Sequence, residues 1–384
     1  MNVNNTEEKK RIESLDIFRG VLIFFVVFGH FLLPMKDREY LLSTSLFLLI
    51  YSFHMPAFIF LSGYFYYGSW KRKGTGFKSL FSLLILFFLM KIILHISDML
   101  FYDSKNIVPD FLHESSTPWY ISTLIFFRLS LFPLELIMKR KKKDVEFRAE
   151  LNNSETKQRS KYIRLKELLK NNITIYTLAL LVLTLCISML NAEWQKNIKD
   201  FLSLDRVISF APFFYIGFLY KKYSSTKKIS IFEKCNYLLF CLGAIAVITF
   251  IIYFSYLRPY SRIFYGPWGY RIAREDILPV FKGILNPLRI VYIPYALSIA
   301  YFVFIIFCKK ENFLSSLLSR FGVYSLPIFV FHRPIRDAFD YLVLKNLNIE
   351  KFGEISILAV LLIISFIVCI LLGTDKANRV CRFK

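Results

Sequence analysis

Apolar runs of about 20 residues, each long enough to cross roughly 30 Å of hydrocarbon, recur from residue 17 to residue 374 of this 384-residue chain. Such runs must satisfy their backbone hydrogen bonds internally, so the expected fold is all-α and polytopic in a lipid bilayer. Hydrophobic residues make up 55% of the chain and aromatics 18%, more than one soluble core can enclose. No stretch between the runs is large enough for a separate soluble unit, so a single domain over residues 1–384 is expected.

The hydropathy pattern places ten spans, within a few residues, at 17–35, 41–67, 77–96, 119–138, 172–191, 206–220, 236–256, 288–308, 320–342 and 354–374. The polar tail 1–16 precedes a run without a small-residue cleavage pattern, so that run is expected to remain as the first helix. Alternate connections, including the basic loop 139–171, carry clusters such as Lys9-Lys10-Arg11, Lys71-Arg72-Lys73, Lys139 to Lys143 and Lys221-Lys222. These loops, and with them both termini, are expected on the cytoplasmic side. Tyr162 to Lys170 reads either as a solvated linker or as a basic amphipathic helix lying on anionic lipid.

The formal charge of +22 is accounted for by these short clusters. They form no continuous basic face, and nucleic acid is not an expected partner. The six cysteines are scattered without a CxxC pair, so neither a disulfide framework nor a metal site is expected.

Ionisable side chains cost several kcal/mol on a lipid-facing helix, and those inside spans mark interior or wet positions. The first span holds Arg19 and His30. Eleven residues at about 100° each return to nearly the same helix face, while advancing roughly 16 Å. One face thus offers a guanidinium near the inner boundary and an imidazole deep in the outer half. Arginine binds phosphate in a fixed donor geometry, and histidine can take a proton from a hydroxyl and return one to a thiolate. Arg19 snorkelling beside Asp16, and His30 bonding a neighbouring helix, remain the structural alternatives.

The stretch Ser14-Leu15-Asp16-Ile17-Phe18-Arg19-Gly20, with ten residues between Arg19 and His30, resembles the first-helix signature of the membrane-bound acyltransferase-3 family, in particular its branch related to fucose O-acetylase. Phe53-His54-Met55-Pro56, running on to Ser62-Gly63-Tyr64, is similar to the second-helix motif. Pro118-Trp119-Tyr120-Ile121 resembles the Trp-containing segment of the fourth span. Tyr324-Ser325-Leu326-Pro327 through Phe331-His332-Arg333-Pro334 resembles the late motif. A large C-terminal extracytoplasmic domain of the kind that some members carry is not expected.

The resemblance implies O-acyl transfer in a bacterial plasma membrane, with acetyl-CoA or another acyl-CoA as donor substrate and no bound cofactor. The acceptor would be a sugar hydroxyl of a cell-surface polysaccharide or its lipid-linked precursor. It also implies His30 and Arg19 as catalytic residues, and His54, Trp119, Tyr120, His332, Arg333 and Arg336 as substrate contacts. An arginine network with Asp337 is the structural alternative for the last cluster. The outer loop 257–287 interleaves Arg258, Arg262, Arg271 and Arg274 with Tyr260, Tyr265 and Trp268, a set suited either to sugar or to lipid headgroups. A flippase or transporter for a polysaccharide intermediate is the competing function.

Overall fold

A computed structural model describes residues 2–37, 40–102, 108–114, 116–140, 155–189, 200–224, 230–254, 288–308, 312–345 and 352–381. The described residues are helical throughout, apart from turns and one isolated bridge between His113 and Phe201. The helices are α1 (Asn2–Asp37), α2 (Leu41–Lys73), α3 (Phe77–Phe101) and α4 (Trp119–Ser130), the last running on past a turn at Leu131 to Arg140. There follow α5 (Glu155–Met189), α6 (Leu204–Ser224), α7 (Ser230–Ile252) and α8 (Leu288–Cys308). The chain ends with α9 (Phe313–Val323), α10 (Ser325–Phe339, extended by the π-turn Asp340–Leu344), α11 (Glu354–Leu372) and α12 (Asp375–Cys381).

A described helix coincides with each of the ten expected spans, but not all are long and apolar enough to cross a bilayer alone. Seven are: α1 from Glu13, α2, α3, α4 to Arg140, α5 from Asn171, α8 and α11. The bent pair α9 and α10 makes an eighth. Asp205, Arg206, Lys221 and Lys222 occupy the ends of α6 and leave a short apolar middle. Enclosed by α2, α4 and α5, that helix buries Phe213, Phe214 and Phe218 against protein instead of lipid.

Two expected boundaries are corrected. Residues 155–171, expected within the basic loop, form the first stretch of α5; the good helix formers of Tyr162 to Lys170 propagate the helix from the span beyond. Residues 320–342, expected as one span, break at Tyr324 with an 86° bend. Pro327 explains the break, because its ring clashes with the carbonyl four residues back and it offers no N–H to Val323. In the first turn of a new helix neither defect matters.

The first two spans form the centre: 67% of the apolar window of α1 and 72% of that of α2 are buried, against 17% for α5. Paired glycines set two of the crossings. A Cβ on Gly322 of α9 would lie 1.8 Å from the carbonyl oxygen of Asp16, and one on Gly20 of α1 would lie 1.7 Å from that of Leu318. Gly63 of α2 and Gly217 of α6 make the same reciprocal approach: a Cβ on Gly63 would lie 2.0 Å from the Phe214 carbonyl oxygen, and one on Gly217 2.0 Å from that of Phe60. Small residues let helix backbones close in this way where lipid supplies no hydrophobic drive. Gly322→Ala is expected to destabilise the fold by about 2–3 kcal/mol, since backbone must move to admit the methyl group. Thermal unfolding in nanodiscs measures this, and an unchanged midpoint would show that the crossing is soft.

Candidate active site

Arg19, Ile23, Val26, His30 and Leu33 recur at helical spacing on one face of α1, and that face lines two cavities in series. The larger, of about 790 Å³, contains Arg19 and the chain reversal Lys73–Gly76; the smaller, of about 260 Å³, contains His30, His54 and Trp119. Val26, Met55, Tyr120 and Phe329 line both, and so form the constriction between them.

His30 is half-buried and faces the smaller cavity, while its Nδ1 is buried without a partner among the described residues. Behind it stands His332 of α10, its ring centroid 5.1 Å away. His332 Nδ1 lies 3.0 Å from the carbonyl oxygen of Ile328 and 2.9 Å from that of Phe329. Carbonyls only accept, so in the neutral ring Nδ1 carries the proton and Nε2 the lone pair. That Nε2 is likewise buried and unpartnered among the described residues. The same reasoning applies to His54, whose Nδ1 donates to the carbonyl of Ile50 at 2.7 Å. The Tyr51 ring lies 6.3 Å from His30 and 4.7 Å from His54.

Arg333 lines the smaller cavity. Its Nε donates to Asp337 Oδ1 at 3.2 Å and its Nη1 to Ser116 Oγ at 3.1 Å. The same Asp337 oxygen is 2.9 Å from Nη2 of Arg336, and Ser97 of α3 donates to Oδ2 at 3.0 Å. Arg336 also reaches the Tyr102 hydroxyl at 3.4 Å. Asp337, wholly buried, therefore serves two arginines, and this network ties α10 to α3.

His332 and Arg336 line neither cavity. Of the expected substrate contacts, they are the two that the fold sets behind the cavity walls, because α10 turns His332 toward α1 and Arg336 toward α3. Trp119, Tyr120, His54 and Arg333 do line the smaller cavity. Trp119 stacks on Phe210 at 5.2 Å, with the Arg206 guanidinium 5.7 Å from its ring. The one proton of Ser62 Oγ goes to the Phe58 carbonyl (2.8 Å), so Tyr120, 2.7 Å away, donates to Ser62. Arg19 contacts the larger cavity only; it donates to Ser325 Oγ at 2.9 Å and to Asp16 at 3.3 Å. The loop 257–287 lies outside the described residues.

The rim of the smaller cavity contains residues that the hydropathy reading passed over. Arg206 donates to the Glu114 carbonyl at 2.6 Å and to Asp200 at 2.9 Å. Backbone bonds from Glu114 N to Asp200 O (2.7 Å) and from Leu202 N to Leu112 O (2.6 Å) join the two segments into a strap. Asp200, Leu202 and Ser203 hold φ of 61°, 47° and 59°, a conformation that costs of order 1–3 kcal/mol at non-glycine residues and concentrates at functional sites. Lys91 pairs with Glu114 at 2.8 Å beneath the strap, where burial pushes the Glu114 carboxyl above its ordinary value. A charged residue at the very start of an apolar run is the signal that identifies Arg206.

No curated protein and no solved structure matches the chain. The profile of the acyltransferase-3 family, described as an acyltransferase domain, matches residues 12–374. That match runs from within α1 to the end of α11 and takes in the whole lining of the smaller cavity and every residue of the constriction, so the chain belongs to the acyltransferase-3 family and is a multi-pass membrane acyltransferase.

Proposed function

We infer that this acyltransferase moves an acetyl or similar short acyl group from acyl-CoA to a sugar hydroxyl of a cell-surface polysaccharide or its lipid-linked precursor, as in the fucose O-acetylase branch. The donor occupies the larger cavity, entering from the side of Lys71-Arg72-Lys73 and Lys139, the cytoplasmic side of a bacterial plasma membrane by the positive-inside rule. The acceptor enters the smaller cavity from the opposite side. The observation that carries this reading is the position of His30, one helical turn beyond the Val26 constriction on the face that begins with Arg19.

In the proposed step, His30 removes the proton of the sugar hydroxyl, and the oxygen attacks the thioester carbonyl. The tetrahedral adduct collapses by breaking the C–S bond, and the imidazolium returns the proton to the departing CoA thiolate. Atoms and charge balance without another reactant. Trp119 offers an aromatic face, and Arg333 and His54 polar groups, for holding a sugar.

The test uses the full chain in nanodiscs with acetyl-CoA and extracted lipid-linked or polymeric glycans, following free CoA. Acceptor-dependent release is the expected result. Val26→Trp, which fills the constriction, is expected to cut turnover at least about 100-fold, because misplacing reacting atoms by 1 Å already costs that much, while CoA still binds. No turnover of any acyl-CoA, combined with loss of surface polysaccharide in cells lacking the protein, would replace transfer with transport.

A further inference from the structure

The wall of the larger cavity remote from His30 is built from cations without carboxylates. Arg19, Lys73 and Arg128 are among its described lining residues, and no Asp or Glu is. Arg19 already shares Asp16. Arg128, inside the fourth span, donates to Ser79 Oγ at 2.8 Å and lies 5.0 Å from the Tyr66 ring centroid, with no ion pair among the described residues. A guanidinium at membrane depth normally has an anionic or aqueous companion, and here the cavity is where that companion can sit.

The neighbouring reversal is tight: it lines the same wall, and a Cβ on Gly74 would meet the Glu135 carboxylate at 2.4 Å. Gly74 and Gly76 hold φ of 69° and 66°, and Thr75 N donates to Glu135 Oε2 at 2.6 Å, with Lys139 fixing Glu135 from behind at 2.6 Å. Thr75 lines the cavity at 1% exposure, and its hydroxyl is buried without a partner among the described residues. The reversal leads straight into α3, a 25-residue helix in which the N–H groups of Ser79 and Leu80 bond back to the Gly76 carbonyl at 2.8 and 3.0 Å, so that the N–H groups of Phe77 and Lys78 are the ones a helix start leaves over. An orphan hydroxyl, a helix N-terminus, a lysine and an unpaired arginine converge on one pocket wall, which is the chemistry of a phosphate site.

We propose that Arg128, Lys73, Ser79 and Thr75 form a site for the diphosphate of a nucleotide-bearing acyl donor, separate from Arg19. The assignment rests on the acyl-CoA reading above. It also orients the donor: Arg128 lies eight residues beyond Tyr120 on α4, about 12 Å along the axis, so phosphates held there leave the thiol arm directed at the constriction. Lipid headgroup phosphate shares this chemistry and is the competing source.

The test measures binding of CoA and of pantetheine, which has the same thiol arm without the phosphates, to the full chain in phosphatidylcholine nanodiscs. Wild type is expected to prefer CoA; Arg128→Gln is expected to weaken CoA binding about 10- to 100-fold and erase most of that preference, and Arg128→Lys to restore part of it. Should Arg128→Gln not fold, Thr75→Val and Ser79→Ala carry the test, each with a smaller loss of CoA affinity and little change for pantetheine. CoA binding unaltered in these variants would overturn the site and leave the transferase reading standing. Wild type that binds CoA and pantetheine equally would also overturn it. Wild type that binds neither would remove the donor assignment itself. In discs containing phosphatidylglycerol, lipid retention that depends on Arg128 while CoA affinity does not would assign the wall to headgroups and overturn the proposal.

Discussion

His30→Ala is expected to lower acyl transfer by about 10²–10⁴-fold, the range that a positioned general base contributes, with little change in CoA affinity. The larger cavity, proposed above for the donor, does not include His30, so its removal is expected to alter only the smaller cavity. His332→Ala separates two roles. His332 lines neither cavity; its ring stands 5.1 Å from that of His30, and neither its Nε2 nor His30 Nδ1 has a hydrogen-bond partner among the described residues. The proposed role of His332 is to orient the His30 ring by packing against it and, as a nearby acceptor, to favour the proton on Nδ1, which would leave Nε2 as base. His332→Ala should therefore lower kcat more than it raises KM for either substrate and should distort the pH–rate profile, whereas a sugar contact would raise the acceptor KM. The measurement is CoA release at saturating and limiting substrate for protein whose unfolding midpoint matches wild type. Turnover by folded His30→Ala within tenfold of wild type would remove His30 from the chemistry.

The parts of this arrangement visible in the sequence are those carried within one helix. The spacing of Arg19 and His30 put both on one face of α1, and both do line its cavities. Apolar runs located the helices, because hydrocarbon thickness fixes their length. Features made by two distant segments were not legible. The strap that joins residues 112–114 to 200–202 rests on backbone bonds with no hydropathy signature. The bend at Tyr324 was overridden by the continuous apolarity of 320–342, although Pro327 marks it. That bend decides which side of α10 meets α1, and so it places His332 behind His30 instead of in a cavity. Arg128 and Arg206 are legible in the sequence too: the rule that isolates Arg19, a charge within or at the end of an apolar run, applies to them equally.

The largest expected effect on stability is at Asp337. The carboxylate is wholly buried and receives Arg333, Arg336 and the Ser97 hydroxyl. Two guanidiniums and one carboxylate leave the cluster positive, and the Tyr102 hydroxyl, which donates to Asp340 at 3.0 Å, brings a second acid to its edge. Asp337→Ala strands both arginines without their shared counter-ion, and breaking a buried pair from one side costs about 3–5 kcal/mol. Asp337→Asn should cost less, because the amide oxygen still accepts a hydrogen bond while the charge is lost. Replacing Arg333, Arg336 and Asp337 together by apolar residues of similar volume should recover most of the stability, since desolvation of all three charges is then relieved. That triple variant should still be inactive, because Arg333 is the member of the network that faces the smaller cavity. Thermal or chemical unfolding of the three variants in nanodiscs makes the comparison. If Asp337→Ala unfolds with wild-type stability, the cluster is hydrated, and the tie between α10 and α3 does not hold His332 and Arg333 in place.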